Sequence, residues 1–181
     1  DAARTHEADT VVMGWGPDSH GSPGRAESAL DELATSLPAD FLVVRDRGFN
    51  PDRILIPTRG GPGSAYAASI ASFIQDEYGS EITLLHVADS VAEGEEFLEE
   101  WAAERGLSAV TLKVESGDVR EEIVRAAEDA SLLIVGASER GLLVRLVRGS
   151  PAQQIVDDVD CSVILAEQQQ NRSIVERLLG R

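Results

Sequence analysis

The sequence predicts a doubly wound α/β fold, and three observations predict it. From residue 53 onward, short apolar runs alternate with helical patterns in the order βαβαβαβαβ. The runs are continuous in Val, Ile and Leu, as in strands buried on both faces of a mainly parallel sheet. Each connection is long enough for a right-handed crossover, and doubly wound is the commonest topology that such crossovers allow.

The first strand of this series is residues 53–58, RILIPT, which runs into the glycine-rich loop 60–63. Residues 64–78 follow as a helix, with Ala65, Ala68, Ile70, Ala71, Phe73 and Ile74 forming its apolar face. Residues 81–88, EITLLHVA, read as a buried strand and 91–105 as an acidic helix. In 108–115, Val110, Leu112 and Val114 alternate with polar neighbours, the period of a strand. Asp118 opens the next helix, and Glu121 completes a capping box before apolar Ile123, Val124 and Ala127. Residues 132–136, LLIVG, are another buried strand. A helix starting at Ser150 and Pro151 then carries Ile155 and Val156, and 162–166 is the last strand.

The first 47 residues repeat part of this unit. The stretch from Ala8 to Gly14 aligns with that from Ala130 to Gly136 at an offset of 122, and the stretch from Asp40 to Val44 aligns with that from Asp160 to Ile164 at an offset of 120. Between them Ala29, Leu30, Leu33 and Leu37 suggest a helix. Residues 1–47 thus read as the closing strand–helix–strand of a first copy, 48–52 as a linker, 53–168 as a complete second copy and 169–181 as a helical tail. The chain is expected to be a piece of something longer, since residue 1 is Asp rather than Met. The strand 41–44 needs cover along its edge, which the last strand of the second copy or another chain would provide.

With 32 acidic and 16 basic residues, the formal net charge is −16, which argues against nucleic acid or an anionic membrane surface as a partner. Lys113 is the single Lys and every other basic residue is Arg. An acidic, Lys-poor chain fits a protein working in multimolar salt, where self-repulsion is screened within about 3 Å; Arg-rich codon usage is the alternative. No apolar run reaches the roughly 18 residues of a membrane span. The lone Cys161 excludes an internal disulfide and a Cys-based metal site.

The stretch most suggestive of chemistry is 136–150, GASERGLLVRLVRGS. It leaves the carboxyl end of a strand, where open α/β sheets bind ligands, and enters a helix through Gly149 and Ser150. A glycine-preceded helix N-terminus offers free backbone N–H groups to a phosphate. Arg140, Arg145 and Arg148 make the loop locally positive, with only Glu139 opposing them. The bland reading stands beside this one: Ser150 with Gln153 is a capping box and Pro151 a favoured first helical residue, and neither needs a ligand.

These segments together carry a resemblance. RILIPTRGGPGS, EITLLHVAD, SGDVREEIVRAA and LLIVGAS through RGSPAQQIV resemble, in order, the successive segments of a universal stress protein domain. The resemblance implies a five-stranded parallel sheet, dimerisation through the last strand, and ATP or ADP bound through a G-x2-G-x9-G-[ST] pattern. Gly136, Gly149 and Ser150 match that pattern at its spacing, while Glu139 stands where the middle Gly belongs and Gly141 follows two residues later. By the same resemblance Gly149 and Ser150 meet the phosphates, Pro57 and Thr58 flank the nucleotide, and Val87 offers backbone hydrogen bonds to the adenine; Ser138, Arg140, Gly141 and Pro151 complete the candidate nucleotide-binding set. Arg59 occupies the usual acidic position, where it would pair with a phosphate rather than a ribose hydroxyl. Tandem domains with this PTRGG-type loop are also similar to the cytoplasmic tails of some amino-acid transporters, which implies a cytoplasmic location and a covalently linked membrane domain upstream.

Enzyme signatures are lacking. His6, His20 and His86 have no ligand-spaced partners, so no metal is expected, and neither a G-x-S-x-G elbow nor a P-loop is present. The acidic stretch 89–104 reads as a solvated helix face, with Trp101 in the core. The expected function is therefore a nucleotide-sensing regulatory module, a homodimer or pseudo-dimer through the last strand. The alternatives are a nucleotide-free dimerisation scaffold of the same class and, less favoured, a slow ATPase.

Overall fold

The computed structural model describes residues 9–14, 39–107, 109–136 and 151–168. In chain order these form β1 (Thr10–Gly14), β2 (Asp40–Arg45), β3 (Arg53–Pro57), α1 (Pro62–Tyr78), β4 (Glu81–Val87), α2 (Val91–Glu104), β5 (Val110–Glu115), α3 (Val119–Ala127), β6 (Leu132–Gly136), α4 (Pro151–Asp158) and β7 (Ser162–Glu167). The helix expected across Ala29–Leu37, the tail 169–181, His6 and His20 lie outside the described residues.

The strands form one sheet in the order β1-β2-β7-β6-β3-β4-β5. From β7 to β5 every pairing is parallel, giving the expected five-stranded doubly wound unit. Strands β1 and β2 extend it to seven, parallel to each other but joined antiparallel to β7 through β2. The outer edge of the last strand is thus covered by a strand of the same chain, one of the two arrangements that the apolar 41–44 run required.

The ladders constrain the two alignments read from sequence. Both pair residue i with i + 30, Val12 with Leu42 and Ile134 with Ile164, so one offset would have to relate β1 to β6 and β2 to β7. The offsets of 122 and 120 differ by two residues. A shift of two leaves every strand side chain on the same face, so the hydrophobic pattern cannot detect it. The antiparallel β2–β7 register runs from Phe41–Glu167 to Arg45–Val163, with Val43–Leu165 at its centre.

Two cores flank the sheet. On one face Leu55, Leu85, Leu133 and Val163 meet Ile123 and Ala126 of α3 and Ile155 and Val156 of α4. On the other, Ile56, Leu84, Ile134 and Ile164 meet α1 and α2. Helix α1 lies close because its inward face is Ala67, Ala68 and Ala71, and it starts two residues earlier than its apolar pattern because Pro62 suits the first turn. Trp101 is buried on this side, as expected, with the Arg105 guanidinium 4.3 Å from its ring centroid. An ion pair between Arg120 and Asp158 ties α3 to α4.

The connection from β2 to β3 runs beneath β7. The backbone N–H of Arg47 donates to Ser162 Oγ at 3.0 Å, and its guanidinium reaches Asp160 at 3.1 Å. Phe49 then stands edge-on to Tyr78 at the end of α1, with ring centroids 6.4 Å apart.

Candidate functional site

Strand order alone locates a crevice. From β3 the chain proceeds outward to β4 and β5, then returns to the other side of β3 for β6 and β7. The carboxyl ends of β3 and β6 therefore flank a topological switch point, the favoured ligand position in open α/β sheets. The pairing shows an opening there: β3 and β6 are in register only at Ile54–Leu132 and Leu55–Leu133, although both strands run further.

Three segments converge on this rim. The first is the loop after β3. The buried Thr58 accepts through Oγ1 from the Gly60 N–H at 3.1 Å, and its own N–H donates to the Leu85 carbonyl at 2.8 Å. Gly60 holds φ +87°, and a Cβ there would lie 3.1 Å from the Phe97 ring, so the loop rests on α2. His86 completes this floor. Its Nδ1 lies 2.9 Å from the Thr58 carbonyl, and its ring centroid is 4.5 Å from that of Phe97. A carbonyl only accepts, so Nδ1 carries the proton in this hydrogen bond.

The second segment is the N-terminus of α1. Gly61 at its N-cap has no side chain to offer, and no acidic residue occupies the first turn. By contrast α2 is capped by Ser90 and α3 by Asp118. Of these three helices, the one at the switch point is the one whose N–H groups no side chain caps. The third segment is the end of β6. A Cβ on Gly136 would fall 1.9 Å from the Gly63 carbonyl oxygen, so the strand end and the first turn of α1 are in direct backbone contact.

Val87 belongs to the same rim. Leu85 directs its carbonyl to β3, and alternation along a parallel strand turns the backbone groups of Val87 the same way. Because β3 ends at Pro57, that direction leads past the strand, over the loop at Thr58. Of the residues nominated by sequence, Pro57, Thr58, Arg59, Val87 and Gly136 are brought to this rim, with Arg59 exposed. Pro151 begins α4, which follows β6 and so starts from the same rim. Ser138, Arg140, Gly141, Gly149 and Ser150 lie outside the described residues, with Glu139, Arg145 and Arg148.

Sequence reasoning missed His86 and Phe97 as supports of the loop, and Gly63 as the partner of Gly136. A signal existed for the last of these: Gly63, Ser64, Ala67, Ala68 and Ala71 make a small-residue face that only a close backbone approach exploits. Among the described residues, no group of three or more His, Cys, Asp or Glu is placed to hold a metal ion. Nor is any helix among them long and apolar enough to cross a membrane.

The model of the universal stress protein family matches residues 51–167. Among solved structures, the chain is similar to a universal stress protein from Archaeoglobus fulgidus DSM 4304, at 18% identity and TM-score 0.63, covering 91% of this chain and 62% of that one. The chain thus spans less than two thirds of that neighbour's length. It is also similar to the cytoplasmic domain of a prokaryotic cation chloride cotransporter, at 12% identity and TM-score 0.62, covering 92% of this chain and 66% of that one. A universal stress protein in complex with cAMP matches at 18% identity and TM-score 0.51, covering 63% of this chain and 94% of that one. Comparison with curated proteins gives no match.

Proposed function

The chain belongs to the universal stress protein family, and on that premise we propose that it is a nucleotide-binding regulatory module holding ATP or ADP across the carboxyl ends of β3 and β6. The observation that carries this reading is the convergence at the switch point. The Thr58–Gly61 loop, the uncapped start of α1 and the splayed end of β6 meet where β3 and β6 part. In the proposed complex the adenine lies over Thr58 and takes hydrogen bonds from the backbone of Val87. The phosphates reach toward Ser138, Arg140, Gly141, Gly149, Ser150 and the start of α4 at Pro151, with Arg59 as a second phosphate partner. A neighbour's complex with cAMP supports an adenine nucleotide as the ligand class.

The module senses nucleotide rather than consuming it, and it acts as the cytoplasmic regulatory part of an amino-acid transporter. Support for the transporter comes from the likeness to a cotransporter's cytoplasmic domain. The nucleotide-free scaffold is the second reading. It is favoured by Arg59, exposed at a position where the family resemblance calls for a carboxylate, and by Glu139 in the phosphate segment.

Calorimetric titration with ATP, ADP and cAMP in multimolar KCl separates the two. Saturable heat with ATP or ADP, abolished in Gly149→Glu, is the expected result. No heat at millimolar nucleotide and no copurified nucleotide would leave the scaffold. Phosphate release above background would replace sensing by hydrolysis.

A further inference from the structure

We propose that the edge of β5 is a docking site for an extended basic segment of a partner protein, which adds a strand beside β5 along the flank of α2. Among the described residues β5 ends the sheet, and its pairing to β4 runs unbroken over six positions, so no bulge turns the edge away. The Ala88 N–H donates to the Glu115 carbonyl at 2.9 Å, which fixes the alternation along the strand. Thr111, Lys113 and Glu115 direct their backbone groups to β4, and Val110, Leu112 and Val114 direct theirs outward.

Beside that edge lies a groove of about 360 Å³, with Val110 and Leu112 on one side and Ala102, Ala103 and Gly106 of the α2 end on the other. Gly94 shows why it opens there. A Cβ on Gly94 would fall 2.6 Å from Val114 Cγ1, so the first half of α2 lies hard against β5. In the second half the bulky Leu98 and Trp101 turn into the core, and the residues left facing Val110 are small.

The charge beside the groove selects its occupant. Glu99 lines it, Glu95 and Glu96 stand one turn back on the same helix, and all three are exposed. No ion pair with another described residue engages any of them. The neighbouring cations are turned elsewhere: Lys113 lies on the other face of the sheet, 3.5 Å from Glu115, and Arg105 is held by Trp101 and Glu104. An incoming strand therefore meets apolar surface beside Val110 and negative charge toward Leu112 and Val114. On its α2 side it carries one apolar residue and then Lys or Arg, whose aliphatic stems cover Leu112 while their heads reach the rim. A second copy fits worse, because β5–β5 pairing sets two such acidic rims against each other. Strand β4 stands between β5 and β3, so the inference does not depend on nucleotide binding.

The test titrates a fluorophore-labelled peptide, RTVTRTR, with the 181-residue chain in about 0.15 M KCl, where charges act over about 8 Å. Saturable binding at about millimolar concentration or below is expected, with exchange of the Val110, Leu112 and Val114 amides slowed about tenfold. Glu99→Gln should weaken binding. Val110→Pro keeps every charge and the β4 ladder, since only an outward N–H is lost at the first residue of the strand, and should weaken binding about fivefold. Absence of saturable binding would overturn the proposal. So would equal affinity for the scrambled peptide RRRTTTV or in Val110→Pro, the mark of charge attraction alone. Amide protection in β5 that grows with protein concentration without peptide would assign the edge to a second copy and overturn it too. If Val110→Pro does not fold by circular dichroism, RTVTRTR N-methylated at alternate residues replaces it, and unchanged affinity overturns the proposal.

Discussion

At Gly136 a hydrogen atom is all that fits between the end of β6 and the first turn of α1. Gly136→Ala must push two backbones apart, an overpacking that costs about 1–3 kcal/mol. Gly14→Ala, where a Cβ meets nothing within 4 Å, should leave stability within about 0.5 kcal/mol of the parent. Urea midpoints of the two variants in the same buffer check the contrast. Cys161 gives a prediction in pH. Burial pushes its thiol above the usual range, so the unfolded chain releases that proton first. The associated stability is complete below the ordinary thiol range and declines as the pH rises through it. Alkylation of the native protein should accordingly lag behind that of the unfolded chain at pH 8–9, a range set by the ordinary thiol pKa, and equal rates would contradict it. Thr58 and Val87 were legible as site residues because they occupy strand ends in a recognisable segment. His86 and Phe97 were not, because their role depends on a contact between β4 and α2 that no local spacing encodes.

At the scale of elements, the β2–β7 junction is the feature most open to challenge by mutation. Val43 is buried at the centre of that register, and alternation turns its N–H toward β7. Val43→Pro removes that donor from an interior ladder and should cost about 3 kcal/mol or more. Because the described residues of 53–167 keep five strands and four helices of their own, β1 and β2 are expected to detach while the rest stays folded. Limited proteolysis would then cut before residue 50 and leave a core from β3 to β7, whereas global unfolding would show that the two parts are one cooperative unit. Strands β3, β4, β6 and β7 were legible as largely apolar runs, and β5 by the alternation of Val110, Leu112 and Val114 with polar neighbours. Register was not: the period of two along a strand makes offsets of 120 and 122 look alike, whereas the ladders pair i with i + 30 in both cases and admit one common offset only.

At the scale of the whole molecule, the net charge of −16 sets the conditions for every test. The Debye length falls from about 10 Å at 0.1 M salt to about 3 Å at 1 M, so repulsion among the acidic faces weakens steeply with added salt. The thermal midpoint should therefore climb from 0.1 M KCl into the multimolar range, a salt range chosen for its screening. A flat response would mark the acidity as compositional bias. The doubly wound plan was legible at this scale, but the antiparallel extension by β1 and β2 was not, since an apolar edge states that it needs a neighbour without naming one. The identity of that neighbour has a consequence of its own. An interface between separate chains empties as those chains become scarce. Here the span 46–52 tethers β2 to β3, and a short tether holds its two ends at an effective concentration on the order of millimolar. The junction is therefore insensitive to copy number, and a cell holding a handful of these molecules has it as fully formed as one holding thousands.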